Sequence, residues 1–365
     1  MIIGERIRQA RELNGLTQKE FGGKIGLSQP HVAKLENGLL DVDNNLLNKI
    51  VFASGLSIEF FRKPTYVDLP LGSLLFRSRK ISLKQKNQIV QQAKLLFELH
   101  QFLEELTSPI PLTLPQISED PKLSAQLTRS SLGLGPETPI KKLIFSLECA
   151  GVVVLALPKA FQKFDAFSTW IMNKGKRPAI VFSKTESGDR LKFSLAHELG
   201  HLVMHLPELN RDIKTLEKEA DQFAGEFLFP EKSARSELIP PITLKNLIPL
   251  KNKWGLSLQA LIRRSYDLDI ISNRQYKYLN QQISIKKWKQ KEPAFGVPIE
   301  KPRSIAQMAE MLFGNPVQIK RFSKDVKIPT KVLKDILESY NLKSPPNDPV
   351  IPPIKQGILF NFKNP

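Results

Sequence analysis

The residues best placed to do chemistry lie together in FSLAHELGHLVMH, positions 193–205. His197 and His201 stand four apart, so a helix through them puts both imidazoles on one face, directed at a single ion. Glu198 sits one residue round from His197, where its carboxylate reaches a water at that ion without ligating the metal. Two nitrogen ligands and a general base are the parts of a metal-assisted hydrolase. With 5 histidines in the whole chain, this spacing arises by chance on the order of once in a hundred proteins. The bland alternative is a pair of helix histidines satisfied by neighbouring side chains.

A catalytic zinc site needs a third protein ligand and keeps one position for water. His205 is four residues beyond His201, but residues at i, i+4 and i+8 cannot converge on one ion, because each step climbs about 6 Å along the axis. The alternative of a glycine and a third histidine seven and ten positions after His197 meets Met204 and Pro207 instead, and fails. The ligand then comes from the next helix, LEKEADQFAGEFLFP, which offers Glu217, Glu219 and Asp221. Glu217 and Asp221 are one turn apart, so one can ligate while the other supports a ligand histidine; spacing alone does not exclude Glu219. Phe223, Ala224, Phe227 and Leu228 form the opposite, core-facing stripe.

Over 139–230 the chain resembles the ImmA/IrrE family of metallopeptidases. The resemblance rests on a β-rich lead-in, then R-x-x-F-S-L-A-H-E-L-G-H from Arg190 to His201, then E-x-E-A-D-x-F-A-x-x-F-L-x-P from Glu217 to Pro230. It implies His197, His201 and Glu217 as ligands of Zn2+, Glu198 as the catalytic base and Asp221 as the residue behind a ligand. Phe227-Leu228-Phe229-Pro230 replaces the family's usual Leu-Leu-Met-Pro, a conservative change. In such a site Glu198 takes the proton from water attacking a peptide carbonyl, and zinc lowers that water's pKa. Arg190, two turns before His197, is the nearest cation, and a structural role suits it better than oxyanion binding.

Two amphipathic helices, near 187–206 and 213–229 with the turn LPELNR between them, must carry these groups. Short β-branched or aromatic runs precede them at 151–157, 166–172 and 178–183, after helical patterns at 119–132 and 138–149. Upstream, 82–106 reads as a long helix with Ile89, Ala93, Leu96, Leu99, Leu103 and Leu106 near one face. Residues 243–342 read as mostly helical, with a break near 291–302.

A second signal lies at LTQKEFGGKIGLSQPHVAKLENG, 16–38. Thr17 and Glu20 have capping-box spacing, Gly26-Leu27 suits a tight turn, and Ser28 is placed to cap a second helix whose first turn tolerates Pro30. Phe21, Ile25, Leu27, Val32 and Leu35 hold the two helices together. Residues 4–63 resemble the Cro-type (XRE) helix-turn-helix domain, which implies that the second helix enters the DNA major groove. By that resemblance Gln18, Ser28, Gln29, His31 and Lys34 are the DNA-binding residues; Gln can read adenine and Lys can read guanine. Gly22-Gly23 falls in helix interior at up to about 1 kcal/mol per glycine, and Pro30 removes a side-chain contact. A helical bundle used for protein contact is the alternative.

The length of 365 residues leaves room for two or three domains. The expected organisation is a helix-turn-helix domain at 1–66, a helical linker at 67–110, a zinc metallopeptidase domain at 111–240, a basic helical extension at 241–345 and a Pro-rich tail at 346–365. The fold class is mainly α with a small β-sheet: a helical N-terminal domain, an α+β zincin-like domain and a helical C-terminal extension. A single cysteine, Cys149, excludes an intrachain disulfide and any thiolate-rich metal site. No apolar run reaches the roughly 18 residues of a membrane span and no secretory signal opens the chain, so the expectation is a cytoplasmic protein without a membrane partner.

The net charge is +18, of which about +13 lies in 231–365 and only about +2 in 1–66. Such an excess favours a polyanionic partner or a solvated basic face. Tyr266, Tyr276, Tyr278 and Trp288 interleave with cations, most simply as a packed helical extension. The basic stretch 76–84 reads as a solvated linker, and 303–342 carries no motif legible in the sequence.

The leading reading is a DNA-binding regulator fused to a zinc metallopeptidase; the resemblance implies an operator as DNA partner and a repressor-like protein as substrate. A reader of paired half-sites is expected to be a homodimer. The alternative is a transcription factor or antitoxin-like regulator whose metal fold binds a ligand or partner without proteolysis. A third reading makes the N-terminal domain a dock for a protein target.

Overall fold

The computed structural model describes residues 2–64, 81–115, 120–158, 165–172, 176–183, 187–205, 212–288, 292–293 and 297–340. The chain is mainly helical, and the described residues form one small sheet, as the sequence leads one to expect. The turn LPELNR and the Pro-rich tail lie outside the described residues.

Five helices open the chain: α1 (Gly4–Leu13), α2 (Gln18–Ile25), α3 (Gln29–Glu36), α4 (Asn44–Ser54) and α5 (Ile58–Arg62). The capping box forms at α2: Thr17 Oγ1 accepts the Glu20 N–H at 3.2 Å, and Glu20 Oε2 accepts the Thr17 N–H at 2.6 Å. Gly26 closes the turn in the left-handed region, with φ of 77°. Phe21, Ile25, Val32 and Leu35 are fully buried between the helices. Gly22 is required rather than merely tolerated, since a Cβ there would stand 2.3 Å from the Leu27 carbonyl oxygen.

The long helix α6 (Leu83–Thr107) begins on a capping box of Ser82 and Gln85 and runs antiparallel along α1. Buried Arg6 meets buried Glu98 at 2.9 Å, and six residues on, Glu12 accepts from Gln91 Nε2 at 2.7 Å. Ile89, Ala93, Leu96, Leu99 and Leu103 are buried as the spacing predicts, but Leu106 is half exposed. At 3.6 residues per turn the next inward position after Leu103 falls between 106 and 107, and Thr107 takes it.

The site is positioned by α7 (Pro121–Ser131), α8 (Leu143–Cys149), β1 (Val153–Ala156), β2 (Ala166–Met172), β3 (Lys176–Phe182), α9 (Gly188–Met204) and α10 (Ile213–Leu228). The sheet order is β1-β3-β2, with β1 parallel and β2 antiparallel to the central β3. Helix α9 lies over β2 and β3, and α10 and α7 pack against α9. Phe223, Ala224, Phe227 and Leu228 turn inward as the stripe expected from the sequence. The α9–α10 crossing is close: a Cβ on Gly200 would reach the Phe223 ring at 3.0 Å. Carbonyls around the end of α10, orphaned by the end of the helix, accept from two guanidinium groups, Phe227 from Arg129 Nη1 at 2.6 Å and Phe229 from Arg264 Nε at 3.0 Å.

Seven more helices follow: α11 (Glu231–Glu237), α12 (Leu244–Trp254), α13 (Leu258–Asp267), α14 (Asn273–Ile285), α15 (Ser304–Phe313), α16 (Ile319–Val326) and α17 (Thr330–Glu338). Tyr266 and Tyr276 pack on each other with ring centroids 4.7 Å apart, while Tyr278 is exposed. The last three helices are tied to the sheet region at both ends. Buried Glu148 on α8 accepts the N–H groups of Arg303 and Ser304 at 3.0 and 2.9 Å, and the Ala156 N–H donates to Tyr340 Oη at 3.1 Å. Helix α15 also packs on α6. No helix among the described residues is long and apolar enough to cross a membrane.

Candidate metal centre and DNA-facing helix

Helix α9 buries its whole central turn, leaving His197 1% and His201 5% exposed. Four residues apart on the same face, their Nε2 atoms come within 3.1 Å of each other. Glu217 on α10 closes the group, its Oε2 3.5 Å from His197 Nε2 and its Oε1 3.4 Å from His201 Nε2. These are the side chains that the structure brings together as a group able to hold a metal ion. For ligands about 2.0–2.1 Å from a tetrahedral zinc, neighbouring donor atoms stand about 3.3 Å apart, close to the three spacings found. Two imidazoles and one carboxylate are also a donor set that zinc takes readily.

The opposite edge of each ring settles its tautomer. His197 Nδ1 lies 2.8 Å from Asp221 Oδ1, so Nδ1–H donates to the carboxylate and the Nε2 lone pair is directed into the group. His201 Nδ1 lies 2.8 Å from His205 Nδ1, and His205 Nε2 lies 3.0 Å from Glu219 Oε2. With Glu219 accepting from Nε2–H of His205, His205 Nδ1 is an acceptor, His201 Nδ1–H donates to it, and His201 Nε2 also presents a lone pair. Two lone pairs facing one another across 3.1 Å, next to a carboxylate, favour a cation between them.

Glu198 is 3% exposed and stands apart from this donor group. Its Oε2 accepts from Ser168 Oγ at 2.7 Å, which ties the carboxylate to β2, where Ser168 pairs with Ile180 of β3. Arg190 lies on the exposed side of α9 in an ion pair with Asp165 at 2.8 Å, a structural contact. The start of α9 is fixed from below by Lys251, which pairs with Asp189 and, at 2.9 Å, with Glu292.

The structure brings together His197, His201 and Glu217 and sets Asp221 behind His197; the supporting places of His205 and Glu219, both considered as ligands from the spacing, and of Ser168 are not legible in the sequence. His205, which helix spacing excludes as a ligand, stands behind His201. Glu219 completes that chain, and Ser168 holds the base. The four-residue step from His201 to His205 carried the first signal; Ser168 had none, since pairing across a sheet is invisible along the chain.

In the N-terminal domain Ser28, Gln29, His31 and Lys34 are exposed around α3. Ser28 occupies the N-cap position, yet its hydroxyl makes no capping bond; Oγ lies 2.7 Å from His31 Nδ1 instead. Gln18 is half-buried, its Nε2 donating to Glu36 Oε2 at 2.9 Å, and Glu36 also accepts from Arg11 Nε at 2.5 Å. Gln29 and Lys34 are thus presented on the outer face of α3, and Gln18 is held at the start of α2.

Residues 7–59 match a helix-turn-helix family, and residues 147–266 match the IrrE N-terminal-like domain family. No curated protein matches the chain. The chain therefore joins an XRE-type helix-turn-helix domain to an IrrE-like metallopeptidase-family domain, in that order. Helices α14 to α17 fall outside both matches.

Proposed function

We propose that the chain is a DNA-binding regulator whose second domain is an active zinc endopeptidase, cutting a repressor-like protein at a specific site. The reading is carried by one observation: three donor atoms of His197, His201 and Glu217 converge, and the residue next to His197 in the chain is a buried glutamate that is not one of them. A pure binding site has no need of that glutamate.

His197, His201 and Glu217 would hold the metal, which when bound supplies a Lewis acid for a peptide carbonyl and acidifies water. Glu198 accepts the proton of the attacking water and delivers it to the departing amine. Ser168 fixes one carboxylate oxygen of Glu198 and so orients the other. Asp221 and the His205–Glu219 pair keep both ligand rings in the tautomer that leaves Nε2 basic. Burial of the central turn of α9 shields His197, Glu198 and His201 from bulk water.

Gln29, His31 and Lys34 would touch base edges or phosphates, with Ser28 and Gln18 supporting them at the helix starts. The protein would act in the cytoplasm as a homodimer on paired half-sites, with its DNA-binding domain at 1–66 and its peptidase domain at 111–240.

The deciding experiment compares wild type, His201→Ala and Glu198→Gln for zinc per chain and for regulation in cells. About one zinc in wild type and in Glu198→Gln, with loss in His201→Ala and loss of regulation in both variants, supports the peptidase. Full regulation by Glu198→Gln would make the domain a binding module instead.

A further inference from the structure

We infer that α15 to α17 form a second helix-turn-helix unit, which binds the phosphate backbone of duplex DNA through the exposed cations of α16 and α17. One constant interval maps the N-terminal motif onto it. It carries α2 (Gln18–Ile25) onto α16 (Ile319–Val326) and the start of α3 at Gln29 onto that of α17 at Thr330. The same interval takes Phe21 to Phe322, Ile25 to Val326, Val32 to Leu333 and Leu35 to Ile336, and all eight side chains are fully buried. It also takes Gly26 to Lys327, and both residues are left-handed, with φ of 77° and 60°. A lysine held there departs from the usual glycine, yet the backbone makes the same turn. The preceding helix is present as well: α15 packs on α16, with the Phe313 and Phe322 rings stacked at 4.4 Å.

The surface of this unit suits a polyanion better than that of the N-terminal motif does. Lys320, Arg321, Lys324, Lys327, Lys331 and Lys334 are all exposed on α16, the turn and the first half of α17. Asp325, Asp335 and Glu338 are the acidic residues of the same stretch, whereas 18–36 balances Lys19, Lys24 and Lys34 against Glu20 and Glu36. Arg321 is drawn back towards Asp325, at 4.0 Å, and over the Phe313 ring, so the five lysines are the principal contacts. Asp335 stands where the N-terminal motif has Lys34, which argues for phosphate contact rather than the same base readout. The two units are neighbours: α1 and α15 both pack on α6. Glu59 of α5, held low chiefly by its own amide and the Ser57 hydroxyl, also feels Lys327.

The test uses the full chain and a mixed-sequence duplex about four helical turns long, with binding measured across a salt series. Lys320→Gln, Lys324→Gln, Lys331→Gln and Lys334→Gln are combined, and a control combines Lys245→Gln, Arg274→Gln, Lys277→Gln and Lys287→Gln, all exposed elsewhere. The first set is expected to reduce the salt slope by about 3 to 4, nearly one per lost phosphate contact, with unchanged circular dichroism and melting. The control set is expected to change it by less than 1. Both sets are repeated with Gln29→Ala and Lys34→Ala present, so that the N-terminal motif cannot mask the effect. Equal slopes for the two sets in both backgrounds would overturn the proposal, and leave the helix-turn-helix layout as a protein-packing device.

Discussion

His201 and His205 face each other Nδ1 to Nδ1 at 2.8 Å, and Glu219 closes the chain from the far side of His205. The sequence spacing excludes His205 from the ion itself, and this pair is the use the fold makes of it. Removing it leaves the His201 ring without its acceptor. His205→Ala and Glu219→Gln are each expected to weaken zinc binding 10- to 100-fold while leaving the protein folded, as measured by competition with a chromogenic chelator. Wild-type affinity in both variants would mean that His201 needs no such partner.

The two glycines of α2 separate sharply. A Cβ at Gly22 collides with the Leu27 carbonyl, whereas nothing lies within 4 Å of a Cβ at Gly23. Gly23→Ala is expected to stabilise the protein by roughly 0.5–1 kcal/mol, and Gly22→Ala to destabilise it by about 1–3 kcal/mol despite the same gain in helix propensity. Urea melts of the two variants give the comparison directly. Equal shifts would show that the α2–α3 turn gives way.

Arg6 joins the N-terminal domain to α6 through Glu98, and it also donates to the Lys63 carbonyl at 2.8 Å. Both side chains of the pair are buried. Arg6→Ala is therefore expected to cost about 3–5 kcal/mol by leaving buried Glu98 with only the longer contact to Lys63, at 3.6 Å, and Arg6→Met with Glu98→Leu much less. Chemical unfolding of the single and double variants measures the difference.

Glu148 gives the molecule a pH dependence of definite sign. Burial pushes its carboxyl up to about 7, against the opposing N–H groups of Ser304 and Arg303. The folded state therefore holds this proton more tightly than the unfolded chain does. Its contribution to stability is full below the ordinary glutamate pKa of about 4.3 and is lost as pH rises to about 7. Glu148→Gln keeps an acceptor for both N–H groups and should flatten this part of the profile, raising stability at pH 8 relative to wild type by about 1–3 kcal/mol. A variant with the wild-type profile between pH 5 and 8 would assign the dependence to another group.

What could be read in the sequence was whatever is local. The HExxH spacing, the capping box of Thr17 and Glu20 and the inward stripe of α10 are each set within a turn or two of helix, and all appear where expected. Ser168 escaped because its link to Glu198 crosses from a strand to a helix. Ser28 has the position to cap α3, but His31 competes for the same hydroxyl. The motif at 319–338 was hidden for a chemical reason. Lys327 replaces the glycine that usually marks the turn, and Pro329 stands at the N-cap where Ser28 stands in the first motif. Only the backbone angles and the buried positions reveal it.

Helix α6 has 25 residues and no break, so it is a rod about 37 Å long. Near its middle Glu98 grips Arg6 of the N-terminal domain, and near its end Glu104 grips Arg177 of β3 at 3.0 Å. Such a rod is a lever. A tilt of about five degrees at one end would carry the other through about 3 Å. A small rotation of the sheet against α6 would then be felt most at the far end of the rod, where Lys84 meets Glu20 of α2 at 3.1 Å.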